Sequence, residues 1–371
     1  MPYIHERSDW PRLVWNDAKL SPLLAEVRHR QGRLLGKMEG LGFRIRAEAS
    51  LTTLTTDVIK SSAIEGEQLD AGQVRSSIAR HLGLDAAGTE PVSRDVDGVV
   101  EMMLDATQNF AAPLTAERLF GWHASLFPAG RSGMRRITVG AWRSPEAGAM
   151  QVVSGPVGKK WVHFEAPGAE RVPLEMGRFL GWFEAANGLD HVLEAGSAHF
   201  WFVTIHPFAD GNGRIGRAIA DMALARAEGT AERFYSMSAQ IESERSGYYD
   251  MLEHSQKGDV DITRWLEWFL SCLKRAVDGA EEGLTHILQK AKIWAYVNRT
   301  PVNERQRKVI NRLLDEFEGK LTTSKYARLV KCSEDTALRD IKALLERGIL
   351  LQNEGGGRST SYRLVELPGR G

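Results

Sequence analysis

Cysteine is nearly absent from the chain: only Cys272 and Cys332 occur among 371 residues, far apart in the sequence. Two distant cysteines exclude a disulfide framework and a cysteine-based zinc site, so we expect a reduced, cytoplasmic compartment. No apolar run approaches the roughly 20 residues that cross a bilayer, and the first residues lack the apolar stretch of a signal peptide. We therefore expect no association with a membrane.

The sequence also lacks an excess of either charge, since 48 Lys and Arg residues face 48 Asp and Glu residues. This balance excludes a protein that is coated with basic residues for binding nucleic acid. The content of 43% apolar and 26% charged residues is typical of a folded protein and excludes disorder. At roughly 100–200 residues per domain, the length predicts two or three domains.

Helical periodicity dominates what is present, so we predict a mainly α fold. In a helix predicted over residues 48–64, Leu51, Leu54 and Val58 fall on one face, and Gly66 ends the helix.

Two predicted β-hairpins interrupt the helical pattern. Short β-rich runs predict the first over about residues 150–164, with its tip near the sequence GPVGKK. The second follows three helices that are predicted after Pro301, the last of them capped by Ser333. Three helices followed by a hairpin predict a winged helix-turn-helix.

The segment HPFADGNGRIGR, at positions 206–217, carries the clearest chemistry. It leaves one predicted helix and begins another, and Gly211 and Gly213 permit backbone angles and close approaches that other residues forbid. The N–H groups of such a loop, together with a helix N-terminus, predict an anion site that suits phosphate. Arg214 and Arg217 lie one turn apart on the new helix, and their guanidinium groups match phosphate oxygens.

Three further residues of the segment fit the same chemistry. Asp210 is the type of oxygen ligand that Mg²⁺ prefers beside phosphates. His206, with an ordinary pKa near 6.5, accepts a hydroxyl proton at neutral pH. Phe208 is most simply an apolar anchor that holds the loop to the core. Together they predict phosphoryl or nucleotidyl transfer to a hydroxyl group.

Two alternatives compete with this interpretation. A Walker-type phosphate loop requires GxxxxGK(S/T), which the sequence does not contain. His191, His199 and His206 suggest a metal cluster, but His199 fits better as part of a helix face.

Positions 206–217 match the motif HxFx(D/E)GNGRxxR at every specified position, so the chain resembles the Fic family. The resemblance implies a helical core and the transfer of AMP from ATP with Mg²⁺ to a Ser, Thr or Tyr hydroxyl of a target protein. It makes His206 the catalytic base, Asp210 the Mg²⁺ ligand and Phe208 the core anchor. It also implies that the remaining motif residues bind the phosphates: Gly211, Asn212, Gly213, Arg214 and Arg217.

The resemblance covers the whole chain. It implies a helical domain with an inhibitory helix over 1–95, a Fic catalytic core over 96–298 and a winged helix-turn-helix over 299–371. Divergent relatives transfer phosphate, UMP or phosphocholine. The intact Asp210 and both arginines favour a nucleoside triphosphate in the usual orientation, and therefore AMP.

An inhibitory pattern of this family, Ser or Thr followed by three residues, Glu and then Gly or Asn, matches Ser61, Glu65 and Gly66. The resemblance implies that the Glu65 carboxylate pairs with Arg217 and misplaces the phosphates of ATP. In some relatives the same glutamate orients water that removes AMP, so this activity remains open.

Two further segments resemble segments of the Fic family. The hairpin over 150–164 corresponds to a flap that holds the target protein by strand pairing, although an ordinary surface hairpin is the alternative. Tyr248 and Tyr249 resemble a pair near the nucleotide pocket, although such a pair is more often part of the core. The resemblance is compatible with a homodimer, for which no sequence feature gives direct support.

The tail leaves a second function open, because winged helices bind either DNA or proteins. Residues 301–371 hold 14 basic and 10 acidic side chains. Candidates for DNA contact are Arg339, Lys342 and Arg358, and these acidic residues oppose them: Asp335, Asp340, Glu346 and Glu354. The alternative function is a DNA-binding transcriptional regulator with a Fic domain. A gel shift of DNA by residues 301–371 that weakens steeply with added salt would favour this alternative.

Overall fold

The computed structural model shows a mainly helical chain that divides into two compact units, Met1–Glu281 and Glu282–Gly371. The described residues are 2–84, 90–154, 161–185, 188–299, 301–314, 317, 319–353 and 360–365. The predicted fold class, mainly α with small β-hairpins, is confirmed. The predicted domain boundaries after residues 95 and 298 stay predictions.

The helices of the described residues have the following bounds: α1 Asp17–Glu39, α2 Phe43–Ile64, α3 Ala71–His81, α4 Arg94–Gln108, α5 Ala116–Leu126, α6 Val172–Phe183, α7 His191–Ile205, α8 Asn212–Glu228, α9 Met237–Ser243, α10 Arg245–Gln256, α11 Thr263–Val297, α12 Glu304–Leu314, α13 Thr323–Val330 and α14 Glu334–Glu346. The strands form antiparallel pairs: β1 Arg131–Ser132 with β2 Arg135–Arg136, β3 Gln151–Ser154 with β4 Trp161–Glu165, and β5 Leu350–Gln352 with β6 Tyr362–Leu364.

Helices α7 and α8 form the centre of the first unit. Every residue of α7 from Val192 to Ile205 is buried, which is typical of a helix that is covered on all sides. α8 packs along it, and Gly216 permits the close approach, since a Cβ there would lie 2.9 Å from Cγ1 of Val203. The short connection between these two helices is therefore fixed at both ends by buried structure.

Helix α2 is longer than the sequence predicts. The prediction begins at residue 48, whereas α2 begins at Phe43, directly after Gly42 in extended conformation. Phe43 is 77% exposed and does not contribute to the buried face of the helix. The residues predicted on one face, Leu51, Leu54 and Val58, are all buried.

The first predicted hairpin is present as β3 and β4. Gln151 lies opposite Glu165 and Ser154 lies opposite Trp161, while the predicted tip at residues 155–160 falls outside the described residues. The His163 ring binds Glu253 on α10, with 2.5 Å between Nδ1 and Oε2, and so links the hairpin to the helical body.

The second unit contains α12, α13 and α14 followed by β5 and β6, in the predicted order. Its core includes Ile310, Tyr326, Ile341 and Leu350. Ser333 caps α14 as predicted, because its hydroxyl oxygen accepts the backbone N–H of Thr336 at 3.3 Å. The winged-helix assignment stays a prediction.

In the structure, one of the acidic residues that oppose DNA binding by this tail lies in the interior. Arg339 and Lys342 are exposed, but Asp340 is buried and accepts hydrogen bonds from Arg305 and Asn303. Asp340 therefore belongs to the interior and does not oppose a bound anion on the helix surface. Arg358 and Glu354 fall outside the described residues.

Among the helices of the described residues, none combines the length and the apolar character that a membrane span requires.

Two glycines in helices provide a test of how closely α4 packs against α5. A Cβ at Gly98 in α4 would lie 1.8 Å from the backbone oxygen of Ser125 in α5, whereas a Cβ at Gly177 in α6 would meet nothing within 4 Å. We expect Gly98→Ala to lower the free energy of unfolding by about 2 kcal/mol through overpacking. Gly177→Ala should raise it by up to about 1 kcal/mol, because alanine favours a helix.

Chemical denaturation of both variants measures these changes. Equal stability of the two variants would contradict the close packing of α4 and α5.

Candidate active site

His206 ends α7 in a conformation that non-glycine residues rarely adopt, with φ 53° and ψ 57°. Its backbone N–H still donates to the oxygen of Phe202 at 3.0 Å, and its backbone oxygen accepts from Nε of Arg143 at 2.8 Å. Such a left-handed residue persists only where surrounding contacts determine it. The chain reverses at this residue and presents the imidazole to the loop that follows.

The hydrogen bond of the His206 ring fixes its tautomer. Nδ1 lies 3.1 Å from the backbone oxygen of Val203, and a carbonyl oxygen only accepts hydrogen bonds. The proton of the neutral ring is therefore on Nδ1, which leaves the lone pair on Nε2. Burial, partly offset by the bond to Val203, lowers the pKa of His206 below its ordinary value, so the neutral form dominates at pH 7.

Asn212 and Phe208 hold the loop in shape. The side-chain oxygen of Asn212 accepts the backbone N–H of Phe208, and its amide nitrogen donates to the backbone oxygen of Phe208, both at 2.9 Å. The Phe208 ring is fully buried and stacks on His123 with 4.3 Å between ring centroids. The predicted anchor is therefore supported by the two hydrogen bonds of Asn212. The phosphate binding that the family resemblance implies for Asn212 stays a prediction.

Asp210 lies at the open side of the loop and is only partly buried. Its Oδ1 accepts the backbone N–H of Gly211 at 2.7 Å, and its Oδ2 accepts a hydrogen bond from the hydroxyl of Ser132 on β1. Among the described residues, Asp210 belongs to no cluster of three metal-ligating side chains. A single carboxylate ligand fits Mg²⁺ that takes its remaining ligands from phosphate and water.

Arg217 is buried in α8 and is surrounded by the end of α2. Its Nε donates to the hydroxyl oxygen of Ser61 at 2.9 Å, and its Nη2 donates to Oε1 of Glu65 at 2.8 Å. Burial disfavours the charged guanidinium, but the charge and hydrogen bond of Glu65 together with the nearby Tyr248 and Tyr249 offset this effect and raise the pKa of Arg217. The contact that the family resemblance implies, between residues 152 positions apart, is therefore present.

The Glu65 carboxylate also lies against the backbone of α8. A Cβ at Gly213 would lie 2.0 Å from Oε1 of Glu65, so only glycine leaves room for the carboxylate at this position. Gly211 has φ 77°, and a Cβ there would lie 2.9 Å from the ring of Phe127. The space above the first turn of α8 thus already accommodates a negatively charged group.

Arg214 forms a second ion pair at the same helix end. Its Nη1 donates to Oε2 of Glu67 at 2.6 Å, and its guanidinium carbon lies 5.2 Å from the ring centroid of Phe127. Its side chain is 3% exposed. Both motif arginines are therefore fixed in position and held by carboxylates.

Each arginine retains one buried nitrogen that makes no hydrogen bond within the described residues, Nη1 of Arg217 and Nε of Arg214. A buried guanidinium N–H without an acceptor is unfavourable, so these atoms indicate a place for acceptor oxygens of a ligand. The N-terminus of α8 adds the positive end of the helix dipole. These features fit the phosphates of a nucleoside triphosphate.

The two tyrosines differ in their placement. Tyr248 is buried, and its hydroxyl oxygen lies 2.9 Å from Nε2 of His199. Tyr249 is half-buried and donates to the backbone oxygen of Ile64, directly before Glu65. Their role in nucleotide binding stays a prediction, for which Tyr249 has the more accessible position.

The three histidines of the metal alternative have separate partners. His199 faces Tyr248 in the core, and His191 lies 2.6 Å from Glu194. His206 binds the Val203 carbonyl. They do not form a metal cluster within the described residues.

Four residues of the site escaped the sequence analysis: Ser132, Glu67, Phe127 and Arg143. Three of them lie 63 to 147 positions from the atoms that they contact. Only Glu67 carried a signal, since it follows the inhibitory pattern by one residue. Their contacts depend on the packed fold.

Two segments of the chain match models of known protein families. Residues 113–224 match the model of the Fic/DOC family, and residues 3–84 match a domain of unknown function, DUF4172. The chain therefore contains a Fic/DOC segment over residues 113–224, and the motif lies inside it.

Two similar relatives have names that concern nucleotide transfer. "Protein adenylyltransferase Fic" of Culex quinquefasciatus is 33% identical over 114 residues, which are 30% of this chain and 21% of the relative. "Uridine 5'-monophosphate transferase" of Xanthomonas campestris pv. campestris (strain 8004) is 31% identical over 124 residues, which are 31% and 22% of the two chains. The matched part spans about a fifth of these relatives.

Solved structures share the fold. A Fic family protein from Desulfovibrio desulfuricans G20 aligns with a TM-score of 0.54 and 21% identity, over 94% of this chain and 98% of that one. A Fic domain containing signaling protein from Bacteroides thetaiotaomicron VPI-5482 aligns with a TM-score of 0.50 and 20% identity, over 69% and 95%.

The environment of His206 predicts its titration. Its folded-state pKa is lowered, so we expect the ring to protonate below pH 6.5 and to hold its proton on Nδ1 when neutral. Because the unfolded chain binds this proton more readily, His206 should reduce the stability of the fold as the pH falls below about 6.5. NMR of labelled imidazole nitrogens measures both properties. A midpoint above pH 7, or a proton on Nε2, would contradict the geometry.

Proposed function

We propose that this protein transfers AMP from ATP to a Ser, Thr or Tyr hydroxyl of a target protein and that Glu65 inhibits the transfer. The observation that carries the proposal is the pair of buried arginines at the start of α8, each with an N–H group that makes no hydrogen bond within the described residues. The same segment supplies a histidine whose neutral ring has its lone pair on Nε2. The names of both relatives support nucleotidyl transfer.

The chain's own residues supply binding and positioning. Arg217 and Arg214 bind the outer phosphates, and the backbone N–H groups at Gly213 and the start of α8 bind oxygens that lie closer to the reacting phosphorus. Asp210, oriented by the Ser132 hydroxyl, would hold Mg²⁺. When bound, Mg²⁺ neutralises phosphate charge.

His206 moves the proton. The acceptor hydroxyl oxygen attacks the α-phosphorus of ATP and forms a new P–O bond, while its proton passes to Nε2 of His206. The bond between the α-phosphorus and its bridging oxygen breaks, and pyrophosphate leaves. The hydrogen bond from Nδ1 to Val203 holds the ring in the required tautomer throughout.

Glu65 inhibits this reaction by competition. Its carboxylate takes one N–H of Arg217 and lies against Gly213, so it repels phosphate from the place where the outer phosphates bind. A nucleotide that binds in spite of this carboxylate has displaced phosphates, and a displacement of about 1 Å costs roughly 100-fold in rate. Removal of AMP by water that Glu65 orients stays a prediction from the family resemblance.

The hairpin of β3 and β4 is the proposed docking edge for the target protein. Trp161 is 73% exposed and Val153 is 41% exposed, so the hairpin offers apolar contacts beside its backbone hydrogen-bonding groups.

Three other expectations stay predictions: DNA binding by residues 301–371, a homodimer and a cytoplasmic location.

Glu65→Gly tests the proposal. Removal of the carboxylate frees Arg217, so we expect transfer of label from α-labelled ATP with Mg²⁺ to protein to rise roughly tenfold to 100-fold. Parallel reactions with UTP compare the two nucleotides that the relatives' names suggest. Mass spectrometry of Glu65→Gly in cell lysate identifies the added group and the modified residue.

Glu65→Gly combined with His206→Ala is the matched control and should lose the label. Equal labelling of wild type and Glu65→Gly would contradict inhibition by Glu65. Absence of label from every nucleoside triphosphate would contradict the transferase.

A further inference from the structure

Glu67 makes the second ion pair of the phosphate site. Its Oε2 lies 2.6 Å from Nη1 of Arg214, as Oε1 of Glu65 lies 2.8 Å from Nη2 of Arg217. Arg214 and Arg217 are the two side chains that the proposed function assigns to the outer phosphates. Each of them is therefore occupied by a carboxylate, and the two carboxylates are two residues apart in sequence.

The backbone between the two glutamates explains their common placement. The N–H of Gly66 donates to the oxygen of Ala63, and the N–H of Glu67 donates to the oxygen of Ser62, both at 3.0 Å. These bonds, with φ 87° at Gly66, form a Schellman motif at the end of α2. The motif turns the chain so that Glu65 and Glu67 both reach the first turns of α8.

The charged form of the Glu67 carboxylate is stabilised by Arg214. Burial, together with the negative charges of Asp210 and Glu65, raises the pKa of Glu67 although Arg214 opposes this effect. Three carboxylates thus crowd the N-terminal end of α8, where the two arginines compensate their charge. A triphosphate that enters this place must compete with Glu67 for Arg214 and with Glu65 for Arg217.

We propose that Glu67 is a second inhibitory carboxylate, which occupies Arg214 as Glu65 occupies Arg217, so that a triphosphate binds in full only when both ion pairs open. The proposal rests on the proposed function for its consequence, because competition for Arg214 matters only if Arg214 binds phosphate. Removal of Glu65 alone then relieves only part of the inhibition.

A binding experiment tests the proposal without any transfer reaction. The probe is inorganic tripolyphosphate, titrated calorimetrically into wild type, Glu65→Gln, Glu67→Gln and the double variant at low salt. Glutamine keeps the shape of glutamate and removes its charge. We expect Glu67→Gln to tighten binding roughly fivefold, about 1 kcal/mol, and the double variant to bind more tightly than either single variant.

The matched control is Glu48→Gln. Glu48 also lies on α2, but it is exposed and pairs with Arg75 on the outer surface. This variant removes the same charge and should leave tripolyphosphate binding unchanged. Glu67 is half-exposed, so its variant should fold, and thermal denaturation of each protein verifies this.

A second arm tests whether Glu67 acts through Arg214. In an Arg214→Gln background, Glu67→Gln should give no further gain in binding. A gain that persists there, or a Glu67→Gln variant that binds no more tightly than Glu48→Gln, would overturn the proposal. If Arg214→Gln does not fold, the comparison of Glu67→Gln with Glu48→Gln decides.

The outcomes separate this proposal from the transferase. Tighter tripolyphosphate binding in Glu67→Gln, without nucleotide labelling by Glu65→Gly, supports the second carboxylate and contradicts the transfer reaction. Labelling by Glu65→Gly, without any effect of Glu67 on tripolyphosphate binding, supports the reaction and overturns the second carboxylate.

Discussion

The buried guanidinium of Arg217 is the group on which the rest of the site depends. Its side chain is 2% exposed, and a buried charge without a partner is strongly destabilising. An anion beside Arg217 therefore stabilises the fold, in addition to the hydrogen bonds from Arg217 to Ser61. Glu65 is that anion in this structure, and a phosphate group is the anion that the proposed reaction requires. Inhibition and stability thus have the same physical origin.

Polar contacts hold the C-terminal half of α2 to the rest of the first unit. Asp57, two turns before Glu65, accepts hydrogen bonds from the hydroxyl of Ser236 and from the backbone N–H of Ser238. One turn later, Ser61 binds Arg217 through both its hydroxyl and its backbone oxygen. These polar contacts position the end of the helix, and Gly66 then directs the chain toward α8. A ligand that binds Arg217 competes with this whole arrangement.

The sequence predicts the parts of the site that are local. The connection between α7 and α8 lies within twelve residues, so its glycines, its arginines and the position of His206 follow from the motif. The role of Asn212 was less predictable, because its side chain bridges to the backbone of Phe208 and this depends on the shape of the loop. The pairing of Glu65 with Arg217 came from a family resemblance, since nothing in residue spacing predicts a contact of this range.

The remaining contacts depend on tertiary packing. Ser132 meets Asp210 because β1 lies beside the loop, and an exposed hairpin with two-residue strands has almost no pattern in sequence. The first turn of α2 was missed because the apolar face that predicts the helix begins only at Leu51, two turns after Phe43. The placement of Tyr248 also depends on packing, because its ring lies in the core with its hydroxyl 2.9 Å from His199.

The most direct test of the central claim is a crystal structure of the Glu65→Gly variant with ATP and Mg²⁺. We predict that phosphate oxygens take the place of the Glu65 carboxylate and accept hydrogen bonds from Nη1 of Arg217 and Nε of Arg214. The α-phosphate should then face Nε2 of His206. A nucleotide bound away from the start of α8, with both of these nitrogens still without acceptors, would contradict the account.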